Sequence, residues 1–204
     1  MKFICFILLT CFLGIKMRAQ DVKMTAPMKD TLPYYEIPAY PDSFTAENVA
    51  ARMIDGLGFR FYWATEGLRP EDLAFRPSPE ARTCEETIDH ILGLSNMVIN
   101  AIRQTSNTRS GEETSALSFD VKRKKTLDNL KQASDLLKNA GGKLSDYNIV
   151  FDRDGSKSEF PFWNMLNGPI ADALWHVGQV VSFRRSSGNP FNAKASVFSG
   201  KLRN

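Results

Sequence analysis

Apolar residues recur at helical spacing in four stretches of the chain, separated by polar or Pro-rich segments. In the first, residues 45–67, Val49, Met53, Leu57, Phe61 and Ala64 share one face and Gly67 offers a stop. The second opens at Thr83 and carries the stripe Ile88, Ile91, Val98 and Ile102. Thr83 and Glu86 predict a capping box, in which the hydroxyl accepts from a first-turn amide and the carboxylate reaches back to the cap. The third spans 119–140, with Val121, Leu127, Leu130, Ala133 and Leu137 inward and Gly141-Gly142 as terminator. The fourth starts near Pro169, which suits a first turn, and ends at Gly188 before Asn189-Pro190. Its core stripe is Ile170, Ala173, Leu174, Val177 and Val181.

Between the third and fourth stretches, strand-like runs flank Asp154-Gly155 and predict a short hairpin. The connections are long, one Pro-rich over 68–79 and one polar over 104–117. The expected architecture is all-α, a four-helix bundle with long connections and a short β-hairpin before the last helix.

Ahead of the helices lie two segments of different character. Residues 1–19 combine Lys2, an apolar run from Phe3 to Ile15 and the small residue Ala19, the pattern of a cleavable signal peptide. The run is short for a membrane-spanning helix, which needs ~20 residues. Thr10 before Cys11 speaks against a lipoprotein anchor. Residues 20–43 hold four prolines and Tyr34, Tyr35 and Tyr40, an extended leader expected to lie on the domain through its tyrosines. The helical domain is then 44–204. The expected location is outside the cytoplasm, in a bacterial periplasm or medium, with no stable membrane span after cleavage.

Charge and cysteine content change meaning once that signal is set aside. The whole chain has 26 basic and 23 acidic residues, but Lys2, Lys16 and Arg18 belong to the signal, which carries no acid. The remainder is electroneutral, and no nucleic-acid partner is expected. The basic run Lys122-Arg123-Lys124-Lys125 reads as a solvated helix face. Of three cysteines only Cys84 remains, so no disulfide framework supports the fold, and Cys84 reads as a packing residue. With 43% apolar residues in 204, one well-cored domain is expected.

The candidate chemistry sits on the fourth helix. Asp172 and His176 stand at i and i+4 on one face, which Gln179 and Phe183 continue. A carboxylate and an imidazole one turn apart form two arms of a metal site. The only other histidine is His90, in the second helix. If the second and fourth helices adjoin, His90, Asp172 and His176 supply two nitrogens and an oxygen to a divalent cation. Spacing alone equally allows a surface ion pair between Asp172 and His176, and a half-buried His90 bonded to backbone. Gly178, mid-helix at a cost of about 1 kcal/mol relative to alanine, suggests a close backbone approach. Arg184 and Arg185 suit the negative end of the helix dipole. Trp163, Trp175, Phe160 and Phe162 read by default as packing aromatics, with a pocket wall as the alternative.

His176-Val177-Gly178-Gln179, the Phe75-Arg76-Pro77 connector, Glu85-Glu86 and a second-helix histidine together resemble the DinB-like (YfiT-like) superfamily of metalloenzymes over roughly residues 45–200. The resemblance implies a four-helix bundle, often dimeric, with a three-histidine divalent metal site. Its first ligand falls on His90, its last on His176, and its middle histidine on Asp172, where this chain has a carboxylate instead. It further implies thiol-dependent transferase or isomerase chemistry on a small molecule; metal-assisted hydrolysis through an activated water is equally compatible with the residues, and the expected cation is zinc, nickel, manganese or iron. A binding or stress-associated helical protein with a degenerate site is the alternative.

Overall fold

Helices form where the apolar periodicity places them. The computed structural model describes residues 32–108, 114, 116–139 and 143–204; the expected signal and residues 20–31 of the leader lie outside these. The long helices are α1 (Ala46–Thr65), α3 (Cys84–Ile102), α4 (Phe119–Asn139) and α6 (Ala171–Ser186), with a short α2 (Pro70–Ala74) and α5 (Phe162–Met165). Thr45 caps α1, its hydroxyl accepting from the Asn48 amide at 3.1 Å. The Thr83 capping box on α3 forms as expected: Glu86 N donates to Thr83 Oγ1 at 3.0 Å and Thr83 N to Glu86 Oε2 at 2.6 Å. α1 packs on α4 and α6, and α3 packs on the same two helices, so one core runs between all of them.

The fold is mainly helical, but a small sheet joins it. β2 (Ile149–Arg153) and β3 (Ser156–Phe160) make the expected hairpin. Asp154 and Gly155 turn it with φ of 56° and 89°, the left-handed pair that a two-residue hairpin loop requires. β1 (Asn107–Thr108), unforeseen in the sequence, adds in parallel to β2. A second two-stranded piece, β4 (Ala195–Ser196) with β5 (Lys201–Leu202), closes the tail.

The inward stripes of α3 are as expected, with Ile88, Ile91, Val98 and Ile102 all buried. On α1 Leu57, Phe61 and Ala64 are buried as expected, with Ile54 beside them, while Val49 at 49% and Met53 at 39% are exposed near the start of the helix. The helix is apolar on most sides, so its period fits more than one face. Val121 on α4 is exposed for its position before the first full turn, whereas Leu127, Leu130, Ala133 and Leu137 are buried.

The last helical segment begins earlier than Pro169. Chain enters α5 at Phe162, passes through a π-helical turn (Leu166–Ile170) and continues as α6. Pro169 lies inside that wide turn. Proline has no N–H and its ring crowds the preceding turn, and a π turn relieves both. Asn164 and Asn167 therefore lie within helical backbone.

The basic run on α4 is not a solvated face. Lys122 and Arg123 are buried. Lys122 Nζ reaches Glu85 Oε1 at 3.3 Å and Asp89 Oδ1 at 3.8 Å. Arg123 donates to Thr65 Oγ1 and to Glu66, and its guanidinium lies over the Tyr62 ring. Lys124 alone behaves as expected, exposed and paired with Asp128 one turn on.

The end of the leader is part of the core. Tyr34 is buried and donates to Asp55 Oδ1 at 3.0 Å, while Lys138 Nζ holds Asp55 Oδ2 at 2.6 Å. The Tyr34 ring presses on Gly58, where an added Cβ would sit 2.4 Å from ring carbons. Tyr35 packs on Tyr62 and Trp63, and Tyr40 lies under Arg52. Gly58→Ala is expected to displace that ring and lower stability by about 1–3 kcal/mol, read from denaturant midpoints.

Arg184 is the other correction. It is buried, not a dipole-facing surface residue: Nη1 donates to the carbonyls of Trp63, Ala64 and Glu66 at 3.1, 2.9 and 2.9 Å. These carbonyls end α1 and have no partners within it. Nε donates to Asn189 O at 2.7 Å, and the Asn189 amide reaches Gly67 O and Asp72 Oδ2. Asp72, also buried, accepts from Arg69 and from Ser187 Oγ, which ties α2 to the end of α6. Arg184→Leu is expected to cost about 3–5 kcal/mol by orphaning these groups, whereas Arg185→Leu, exposed, stays within about 0.5 kcal/mol. Equal thermal shifts for the two variants would contradict this assignment.

Candidate metal centre

α3 and α6 adjoin, and their contact brings His90 to Asp172 and His176. The capping box fixes where α3 begins, which places His90 on the face turned to α6 two turns in. On α6, Asp172 and His176 project from successive turns. His90 Nε2 lies 3.3 Å from Asp172 Oδ2, and His176 Nε2 lies 3.3 Å from Asp172 Oδ1. One ligand atom from each of the three residues lies within 4.8 Å of the others. The two imidazoles meet edge to face, with centroids 4.6 Å apart.

These separations suit a shared cation. Ligand atoms about 2.1 Å from a tetrahedral ion stand roughly 3.4 Å apart. The two 3.3 Å contacts go to different oxygens of Asp172, and the His90 contact also meets hydrogen-bond geometry. His176 is held from both ring nitrogens: Nδ1 lies 2.7 Å from Gln179 Oε1, and Nε2 faces Asp172. Gln179 thereby acquires a role that its place on the same face suggested but did not specify.

His90 is held below its ordinary value of 6.5, first by partial burial and then by the positive charge of Arg82; Asp172 pulls the other way. Its ring is thus neutral at neutral pH, the form that ligates. Asp89, next to it, faces Lys122 of α4, with Oδ1 3.8 Å from Nζ, and is not among the three clustered residues. Glu86 is occupied by the cap and by Arg76, with Oε2 3.5 Å from Nη2.

The Phe75-Arg76-Pro77 connector helps build the mouth. Phe75 packs on Phe183 of α6 with centroids 5.8 Å apart, and Arg76 bonds Glu86 and the Pro79 carbonyl. Arg76, Arg82, Glu86 and His90 border an open pocket of about 540 Å³. Arg82 carried no sequence signal beyond its position just before the Thr83 cap. Trp175 stacks on His176 at 6.3 Å and is 71% exposed, and Trp163 is 75% exposed, so neither packs in the core. Phe162 is buried, and Phe160 packs edge-on against Phe151.

Cys84 takes no part. It is buried behind the cap, and burial, with Asp72 adding to it, pushes the thiol up to about 12. It is a packing residue, as expected. Among the described residues no helix is long and apolar enough to cross a membrane. Comparison with family models, curated proteins and solved structures gives no match to this chain.

A histidine that protonates less readily folded than unfolded makes the native state the weaker proton binder. Without metal, its contribution is therefore complete above the unfolded value and is lost as pH falls below about 6.5 through the lowered native value. Denaturant midpoints of metal-free protein should fall between pH 7.5 and pH 5.5, and His90→Gln should flatten that slope. An unchanged slope in His90→Gln would refute the assignment.

Proposed function

We propose that the protein is an exported, divalent-metal-dependent enzyme of the DinB-like type, acting on a small molecule by transferase or hydrolase chemistry. The observation that carries this reading is the convergence of His90, Asp172 and His176 from two helices at ligand-sharing distance. The cyclic packing of α1, α4, α3 and α6 supports a four-helix bundle as the frame, with the site on the α3–α6 seam. The signal-like segment 1–19 supports export.

His90 Nε2, His176 Nε2 and an Asp172 oxygen would hold the cation, leaving further positions for water or substrate. A divalent cation so held supplies Lewis acidity, lowering the pKa of a coordinated water or thiol. Gln179 would orient the His176 ring through Nδ1, and partial burial, with Arg82 adding to it, favours the neutral form of His90. The carboxylate at Asp172 makes the donor set harder than three imidazoles and adds a negative charge, which favours zinc, manganese or iron over softer ions.

Isothermal titration of chelator-treated protein with zinc, nickel, manganese and iron tests the reading. One equivalent should bind and raise the melting temperature; His176→Ala should abolish this, and Gln179→Ala should weaken it about 10–100-fold. Binding should fail on acidification as protons compete for the imidazoles. A protein that binds none of the four ions, with a chelator-insensitive melting temperature, would instead be the non-enzymatic alternative, its Asp172 a hydrogen-bond acceptor shared by two histidines.

A further inference from the structure

A second stripe runs along α6 on the side away from the cluster. Leu174, Val177, Gly178, Val181, Ser182 and Arg185 recur at helical spacing and border a cavity of about 410 Å³. Phe59, Arg60 and Trp63 of α1 make the facing wall, and Phe191 and Val197 of the tail close one side. The volume is that of a small-molecule site, and the lining is mostly apolar. Gly178 and His176, two positions apart, project about 200° from each other, so the cavity and the metal cluster occupy opposite faces of one helix.

Two observations indicate what fits there. The first is Gly178. Contrary to the close backbone approach that the sequence suggested, an added Cβ would meet nothing within 4 Å. Mid-helix glycine lowers helix stability relative to alanine, and here no neighbour requires it. What the missing side chain leaves is volume in the cavity. The second is a pair of cations at the border. Arg185 is exposed, with its guanidinium 5.4 Å from the Phe191 centroid. Arg60 donates through Nη1 to the Gly56 carbonyl of its own helix at 2.9 Å. Among the described residues no carboxylate pairs with either, and a guanidinium fork matches a carboxylate with two parallel hydrogen bonds.

We propose that the α1–α6 seam binds a small amphiphilic carboxylate of the medium-chain fatty-acid class, its chain lying over Gly178 and its head group taken by Arg60 and Arg185. The site is independent of the metal cluster and does not need it filled.

Titration calorimetry with decanoate, and with decanol as the uncharged control, tests this on the purified protein. Decanoate should saturate one site, with decanol weaker by roughly tenfold or more for want of a charged hydrogen-bond partner. Gly178→Leu should raise the melting temperature, since a better helix former enters open space, and at the same time abolish decanoate binding. The Arg60→Gln/Arg185→Gln double variant should reduce decanoate to the level of decanol and leave zinc titrations unchanged. No saturable decanoate binding, equal binding of acid and alcohol, or full affinity in Gly178→Leu would each overturn the proposal. Should Gly178→Leu fail to fold, the double arginine variant decides alone.

Discussion

The guanidinium of Arg184 is the contact on which the rest of the molecule's arrangement depends. The last carbonyls of α1 have no partners within the helix, and Arg184 supplies them from α6. Through Asn189 and Asp72 the same network holds the connector that leads into α3. Three helices are therefore indexed to one another at a single buried charge. Carbonyl dipoles and Asp72 together offset the cost of burying it. Arg69, by hydrogen bonding, keeps the Asp72 carboxyl well below the usual carboxylate range, so the network is charged throughout the neutral pH region.

That indexing is what gives the cluster its geometry. His90 and the Asp172–His176 pair share no element, and their distances follow from how α3 and α6 are set against each other. The buried charges of α4 brace the other flank of α3, where Lys122 holds Glu85 and lies close to Asp89. Metal-ligating side chains on rigid helices suffer little rearrangement on binding, which is where selectivity between cations arises.

Local features were legible in the sequence and distant ones were not. The Thr83–Glu86 box, the Asp154-Gly155 turn and the Asp172–His176 spacing each involve partners within a few residues, so pattern alone finds them. The joining of His90 to that pair required the family resemblance, because nothing in spacing says which helices adjoin. Arg184 looked like a surface residue because the carbonyls it serves lie 118 to 121 residues upstream. Lys122 and Arg123 were misread for the same reason: their partners Glu85 and Glu66 are on other elements. Val49 and Met53 were placed inward because α1 is apolar on several faces, and only packing selects one. Pro169 looked like a helix start because a proline within a π turn leaves the same signature as a proline in a first turn.

The π turn around Pro169 has a bearing on how this arrangement can vary. A turn that holds one extra residue shifts the angular phase of everything after it by about 100°. The direction in which Asp172 and His176 point is thus stored in the count of residues between Met165 and Ala171, not in the two side chains themselves. A one-residue loss in this stretch would leave both side chains present and the helix intact, while turning the pair away from His90. The seam's two faces would rotate together, so a length change of one residue acts on both as a single clockwork.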